Sequence, residues 1–385
     1  MPATADRLTF FTESVIREMT RVANQYEAIN LSQGFPDADP PPEVLAAGKR
    51  AMAEGPHQYA ITWGAPRFRE ALVRKQRHWM SLGLEPDAHV VVTCGSTEAM
   101  MTALMTTCNP GDKVIIFSPY YENYGADTIL SGARPIYVPL HPPDFNFDPQ
   151  ELKKAFMQQP KAIVLCNPSN PSGKVFSLEE LEIIADLAKA FDAFVITDEV
   201  YEHIVYAPHC HYYMAALPDM FDRTISCSSL SKTYNMTGWR LGYVIGPESV
   251  IAGARKVHDF LTVGAAAPLQ EAAVTALELP LSYYEQLTTD YTRKRDLFLG
   301  YLDEAGLAYS TPQGAYYVMV DCTAFGVMDD REFCRWMAWE VGVAAVPGSS
   351  FFHEPVNHLF RLHFSRSEAI LAETGKRLQK LKSLA

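Results

Sequence analysis

Nothing in this chain of 385 residues calls for a membrane, a nucleic acid or a disulfide framework. No apolar run approaches the roughly 20 residues that span a bilayer. The opening stretch MPATADRLTFFTESVIREM has no apolar signal core, so a cytoplasmic protein is expected. Positive charge is in short supply: 33 Lys and Arg stand against 45 Asp and Glu, a net charge of −12, which argues against polyanionic partners. The seven cysteines are scattered, odd in number and never spaced C-x-x-C, as expected of reduced thiols. There is no internal repeat and no low-complexity tract. What remains is the composition of a globular enzyme of two to three domains, 48% hydrophobic and 20% charged.

The stretch Thr224–Gly242, TISCSSLSKTYNMTGWRLG, stands out. It opens as a buried strand, then sets Lys232 among small hydroxyl residues with apolar flanks. A lysine so placed is an amine in a pocket, where desolvation and nearby cations lower its pKa and free the lone pair for imine chemistry. Arg240 follows eight residues later, with the planar fork that suits a phosphate. An amine nucleophile beside a phosphate clamp points to pyridoxal 5′-phosphate.

Elsewhere short apolar strands alternate with helices: HVVVTC, KVIIFS, RPIYVPL, KAIVLCN, AFVITDEV and RTISCSS, separated by segments of helical pattern. That predicts a mostly parallel sheet covered on both faces, with ligands bound beyond the carboxyl ends of the strands. The chemistry-bearing residues cluster at those ends. Gly95-Ser96-Thr97 leads from a strand into a helix, either as an anion site or as an ordinary turn with Ser96 or Thr97 as N-cap. Asp198 ends an apolar strand and needs a cation, which is either a salt-bridge partner or a protonated ring nitrogen. Tyr201, three residues on, can reach the same ring. Gly34 sits in a Gly/Pro-rich loop, as a turn residue or as a close approach to a ligand. Tyr59 and Trp63 read on their own as core or interface aromatics. His203, His209 and His211 with Cys210 read as surface-loop residues, since no spacing supports a metal site. A helix is expected over roughly Thr9–Ala23 and another over Pro42–Glu54. Near the end, Arg361 alternates with apolar residues on a strand. Pointing inward it needs an anion, from the protein or from a substrate.

Four motifs together carry a resemblance over nearly the whole chain: S-L-S-K-T-x-x-M-T-G-W-R-x-G at 229–242, N-P-S-N-P-S-G at 167–173, T-D-E-V-Y at 197–201 and the late Arg361. The chain resembles the fold-type I, pyridoxal-phosphate-dependent aminotransferases of class I/II. The LSQGFPD and HLFRLHFS segments are most similar to the kynurenine/glutamine and methionine/aromatic branch. The resemblance implies an α/β fold: a large cofactor domain, 46–280, built on a mostly parallel seven-stranded sheet, and a smaller α+β domain from 1–45 and 281–385. It also implies roles. Lys232 forms the Schiff base and shuttles a proton. Asp198 pairs with the ring nitrogen, Asn170 and Tyr201 bond the ring oxygen, and Tyr121 stacks on the ring. Gly95, Ser96, Thr97, Ser229 and Arg240 hold the phosphate, together with Tyr59 of a second subunit, which makes a homodimer obligatory. Arg361 binds the substrate α-carboxylate beside Asn170, Gly34 lies next to the substrate and Trp63 walls its side-chain pocket. No metal is implied. Acidic-substrate members carry an arginine in the segment aligned with Phe260–Ala267, where this chain reads FLTVGAAA. The expected reaction is therefore transfer of the amino group of a neutral, apolar or aromatic L-amino acid (methionine, glutamine, kynurenine or phenylalanine type) to a 2-oxo acid. An aspartate-type aminotransferase and a cysteine-conjugate β-lyase of the same fold stay open as alternatives.

Overall fold

A computed structural model of the chain describes residues 2–326 and 329–383. Its strands in chain order are β1 (Ile29–Asn30), β2 (Val90–Thr93), β3 (Lys113–Ser118), β4 (Arg134–Pro139), β5 (Ala162–Cys166), β6 (Phe194–Asp198), β7 (Thr224–Ser229), β8 (Gly242–Ile245), β9 (Tyr309–Ser310), β10 (Tyr317–Asp321), β11 (Val343–Ala344), β12 (Val346–Pro347) and β13 (Leu359–His363). Seven form one sheet in the order β2-β8-β7-β6-β5-β3-β4. It is parallel except for β8, which runs antiparallel to both of its neighbours. The expected α/β fold with a mostly parallel seven-stranded sheet is the one found.

Alternation along each strand explains the two covered faces. Val114 and Ile116 of β3 pack with Ala99, Ala103, Leu104 and Ile251, from the helices Ser96–Thr107 and Glu248–Thr262. Ile115 and Phe117 point the other way, into a cluster with Leu181, Ile184 and Ala188 of the helix Leu178–Ala190. That helix opens with a reciprocal Ser177/Glu180 capping box. Burial on both faces is why these strands read as continuous apolar runs.

A four-stranded sheet in the order β12-β13-β10-β9 sits against one side. β1 pairs in parallel with β11, so Asn30 lies opposite Ala344 and the first strand is joined to the last third of the chain. The long helix Leu281–Ala305 ends at Gly306 in the left-handed region, which glycine adopts without strain. Among the described residues no helix is long and apolar enough to cross a membrane.

Local differences from the sequence reading have physical causes. The helix expected over Thr9–Ala23 is a 3-10 turn at Asp6–Phe10 and then a helix at Val15–Gln25. Ser14 caps the second, and the Glu122 carboxylate accepts the N–H groups of Val15 and Ile16, so the start is set by a residue 107 positions away. His203 is not a surface residue. It is buried against Trp79 and Tyr284, beside a fully enclosed ion pair in which Lys75 reaches Glu202 at 2.9 Å. Tyr213 also donates to Glu202, at 2.7 Å, so the buried carboxylate is amply satisfied.

Candidate active site

The carboxyl ends of β2, β3, β5, β6 and β7 open into a cleft of about 920 Å³. Gly34, Ser96, Thr97, Tyr121, Asn170, Asp198, Tyr201, Lys232, Arg240 and Arg361 all line it. Residues spread over more than 320 positions thus share one space. Gly95, which abuts the lining residue Arg240, and Ser229 are not themselves lining residues. Ser229 is buried and its hydroxyl accepts the Ser231 N–H. Tyr59 and Trp63 do not line this cleft within the single chain. Tyr59 is 86% exposed, and Trp63 stacks under the Arg255 guanidinium at 4.7 Å.

Lys232 sits in the turn after β7 and is half-buried. Its Nζ donates to the Gly34 carbonyl at 3.1 Å and lies 5.9 Å from the Tyr316 ring centroid. Burial lowers its pKa to about 8, with Arg240 and Arg361 adding to the effect and the Asp198 charge opposing it. Only a minor fraction of the amine is uncharged at pH 7, but far more than for an ordinary lysine, and the neutral form dominates above about pH 8.

Asp198, the last residue of β6, is buried, and burial lifts its pKa to about 6. The Tyr124 hydroxyl donates to its Oδ2 at 2.7 Å and the Val200 N–H to its Oδ1 at 3.3 Å, and both favour the carboxylate. Tyr201 is held by a 2.9 Å hydrogen bond between its hydroxyl and that of Tyr317, with its ring edge-on to Tyr316.

At the mouth of β2 the N-cap of the helix Ser96–Thr107 is Gly95 itself, with no side-chain cap. Neither Ser96 nor Thr97 is therefore the N-cap, and both line the cleft at the start of the helix. Gly95 has φ +85°, and a Cβ there would lie 2.3 Å from Arg240 Nη2, so only glycine leaves room for the guanidinium.

Arg361 on β13 is fully enclosed. Its Nη1 donates to Asn170 Oδ1 and its Nη2 to the Ser32 carbonyl, both at 2.6 Å. It lies between the rings of Tyr317 and Phe351, at 4.4 and 4.7 Å. Among the described residues no carboxylate pairs with it, and its Nε has no partner. The inward arginine therefore lacks a protein anion.

Four residues at or beside the cleft are not singled out by the sequence: Tyr124, Asp127, Tyr316 and Tyr317. Tyr121, Tyr124 and Asp127 recur every third residue, and that spacing was the available signal. Tyr317 lies two residues before Met319, which is in register with Arg361, so alternation along β10 turns it to the same face.

The sequence pattern of the family described as "Aminotransferase class I and II" matches residues 26–377. The chain is similar to the methionine aminotransferase of Escherichia coli K12, 36% identical over 369 residues that cover 96% of each chain. It is similar to human kynurenine–oxoglutarate transaminase 1, 34% identical over 400 residues and 95% of each chain. The solved structure of N-succinyldiaminopimelate aminotransferase from Mycobacterium tuberculosis superimposes with a TM-score of 0.95 at 36% identity, covering 98% of this chain and 100% of that one. With its sheet, its cleft lysine and this span of similarity, the chain belongs to the class I and II aminotransferases, enzymes that depend on pyridoxal 5′-phosphate.

Proposed function

We propose that this aminotransferase takes the amino group from a neutral, apolar or aromatic L-amino acid and passes it to a 2-oxo acid, with Lys232 as the catalytic amine and Arg361 as the carboxylate anchor. The observation that carries the reading is the buried Arg361, with an unpartnered Nε and, among the described residues, no carboxylate partner, lining the same cleft as Lys232. The substrate class is supported by the methionine and kynurenine activities for which the E. coli and human relatives are named and by the lack of a cation in Phe260–Ala267.

The residues fit the cofactor. The Gly95 cradle that a Cβ would fill, with Ser96, Thr97, Ser229 and Arg240 around it, suits a phosphate. The buried Asp198 suits a protonated ring nitrogen, Asn170 and Tyr201 suit the ring oxygen, and Tyr121 suits the ring face. When bound, pyridoxal phosphate supplies an aldehyde for the amine and a ring that accepts an electron pair from the substrate Cα. The protein does the rest. Lys232 Nζ, uncharged in large part above pH 8, takes the Cα proton and returns it one position along. Asp198 stays ionised through the Tyr124 and Val200 donors. Arg361, Asn170 and Gly34 orient the amino acid, and the aromatic walls at Tyr121 and Tyr317 exclude water.

The enzyme works as a homodimer in this reading, with Tyr59 completing the partner's phosphate site. An exposed apolar edge supports it. Tyr59 and Ile61 lie next to Phe260, Leu261 and Val263, with Phe260 92% exposed, and the Thr62 carbonyl touches His258 of the second segment. The division into 46–280 and the two chain ends fits the placement of all seven main-sheet strands between residues 90 and 245. Seven free thiols support a cytoplasmic site of action.

A second reading, a donor with a distal carboxylate, is supported by Arg17 and Arg331 at the rim of the same cleft. A half-reaction screen of the twenty amino acids against the cofactor absorbance separates the two. Methionine and the aromatic amino acids should discharge the band fastest; if aspartate or glutamate leads, the neutral-donor reading fails.

A further inference from the structure

Beneath the Gly95 turn lies a buried pair that the chemistry above does not use. Glu98, in the first turn of the helix Ser96–Thr107, is 9% exposed and His258 is fully enclosed. Glu98 Oε2 accepts the Cys94 backbone N–H at 2.5 Å. Its Oε1 meets His258 Nδ1 at 2.5 Å and accepts the Thr262 hydroxyl at 3.0 Å. The other ring nitrogen, Nε2, donates to the Thr62 carbonyl at 2.8 Å. Both imidazole nitrogens thus face acceptors, one a carboxylate and one a carbonyl, an arrangement that only the doubly protonated ring satisfies. Burial works to lower the His258 pKa, but the bond and charge of Glu98, with help from Thr62 and Asp259, outweigh it and raise the value above the ordinary histidine range.

The Cys94 peptide is held from both sides. Its N–H goes to Glu98 and its carbonyl accepts Arg240 Nη2 at 3.3 Å. The direction of the chain entering the anion-binding turn is therefore set by a carboxylate and a guanidinium from different elements. The same carboxylate reaches, through one imidazolium, the loop that carries Tyr59.

We propose that Glu98 and His258 are positioning residues that brace the phosphate turn of one subunit against its own Tyr59 loop, so that cofactor retention and subunit association rise and fall together. The proposal rests on the reading above, in which Ser96 and Thr97 of one subunit and Tyr59 of the other share the phosphate.

The test uses the holoenzyme and two substitutions that split the brace. His258→Gln keeps a donor toward Thr62 and loses the charged bond to Glu98. His258→Asn keeps a donor toward Glu98 and loses Thr62. Each should weaken cofactor retention, read as the loss of cofactor absorbance on dilution, by about tenfold, the usual worth of a charged hydrogen bond. Each should raise the dimer dissociation constant in sedimentation by a similar factor. With cofactor in excess, KM for the amino acid should stay at the wild-type value, which a general loss of structure would not allow. Retention and association that both match wild type overturn the brace, and so does a loss of retention with association unchanged. If the His258 variants do not fold, Thr262→Val removes only the hydroxyl on Glu98; a smaller loss of both properties upholds the proposal and no change overturns it. Tyr59→Phe separates this from the reading beneath it. Cofactor retention that ignores Tyr59→Phe brings down the shared phosphate site, whereas a response to Tyr59→Phe with none to the His258 variants brings down the brace alone.

Discussion

The Arg361 guanidinium donates to the Asn170 side-chain carbonyl at 2.6 Å, although 191 residues separate them. One comes from the small antiparallel sheet and the other from the loop after β5. Arg361→Leu should leave cofactor absorbance intact and raise KM for every amino donor, by the equivalent of about 2–5 kcal/mol, the usual cost of removing one partner of a buried charge pair. Steady-state kinetics with methionine and phenylalanine check it; an unchanged KM removes the anchor from Arg361.

Lys232 should be the sole site fixed by borohydride when pyridoxal phosphate is present, as peptide mass mapping would show. In cofactor-free protein its reactivity toward a simple aldehyde should rise as pH passes about 8, because burial has moved the folded-state pKa down from 10.5. A midpoint near 10.5 would mean that the amine is not desolvated. Lys232→Ala should abolish both the adduct and turnover.

Asp127 is buried one turn beyond Tyr124, with an Oδ2 that has no partner. Burial and then the Asp198 charge raise its pKa from 3.8 to about 7. The unfolded chain releases this proton near pH 4 and the folded chain only near pH 7. Wild-type stability therefore falls as pH climbs through that window. Asp127→Asn cannot ionise, so the cofactor-free variant should gain on wild type from pH 4 to pH 7, reaching a few kcal/mol at about 1.4 kcal/mol per unit. Denaturant titrations at the two ends check it; a difference that does not vary with pH would contradict the assignment.

Tyr124→Phe removes the 2.7 Å donor from Asp198. The buried carboxylate then loses about 1–3 kcal/mol of support, and its pKa should rise further. Turnover should fall about tenfold or more with KM little changed, and the acid limb of the pH–rate profile should move to higher pH. A profile that overlays wild type would show that Tyr124 does not support Asp198.

Much of this was legible in the chain because local pattern and chemistry coincide. The strands of the main sheet are buried on both faces, so their apolar runs and the polar residues at their ends were visible without coordinates. The helix expected over Pro42–Glu54 is found with those bounds, and the proline at its start and the glycine after it suit its two ends. What stayed hidden depends on distant partners. The start of the helix Val15–Gln25 is set by Glu122. His203 is buried because Trp79 and Tyr284 pack against its ring beside Glu202, which no local pattern reports. Arg361 could be seen to need an anion, but only the fold shows that Ser32 and Asn170 meet it while, among the described residues, no carboxylate does.

The pairing of β1 with β11 and the bond from Arg361 to Ser32 tie the first tenth of the chain to its last eighth. On a ribosome, the seven strands of the main sheet have all emerged long before Arg361 is translated. In the proposed reading, the cofactor pocket can then take shape on a nascent chain, while the seat for the amino acid waits until synthesis is nearly over.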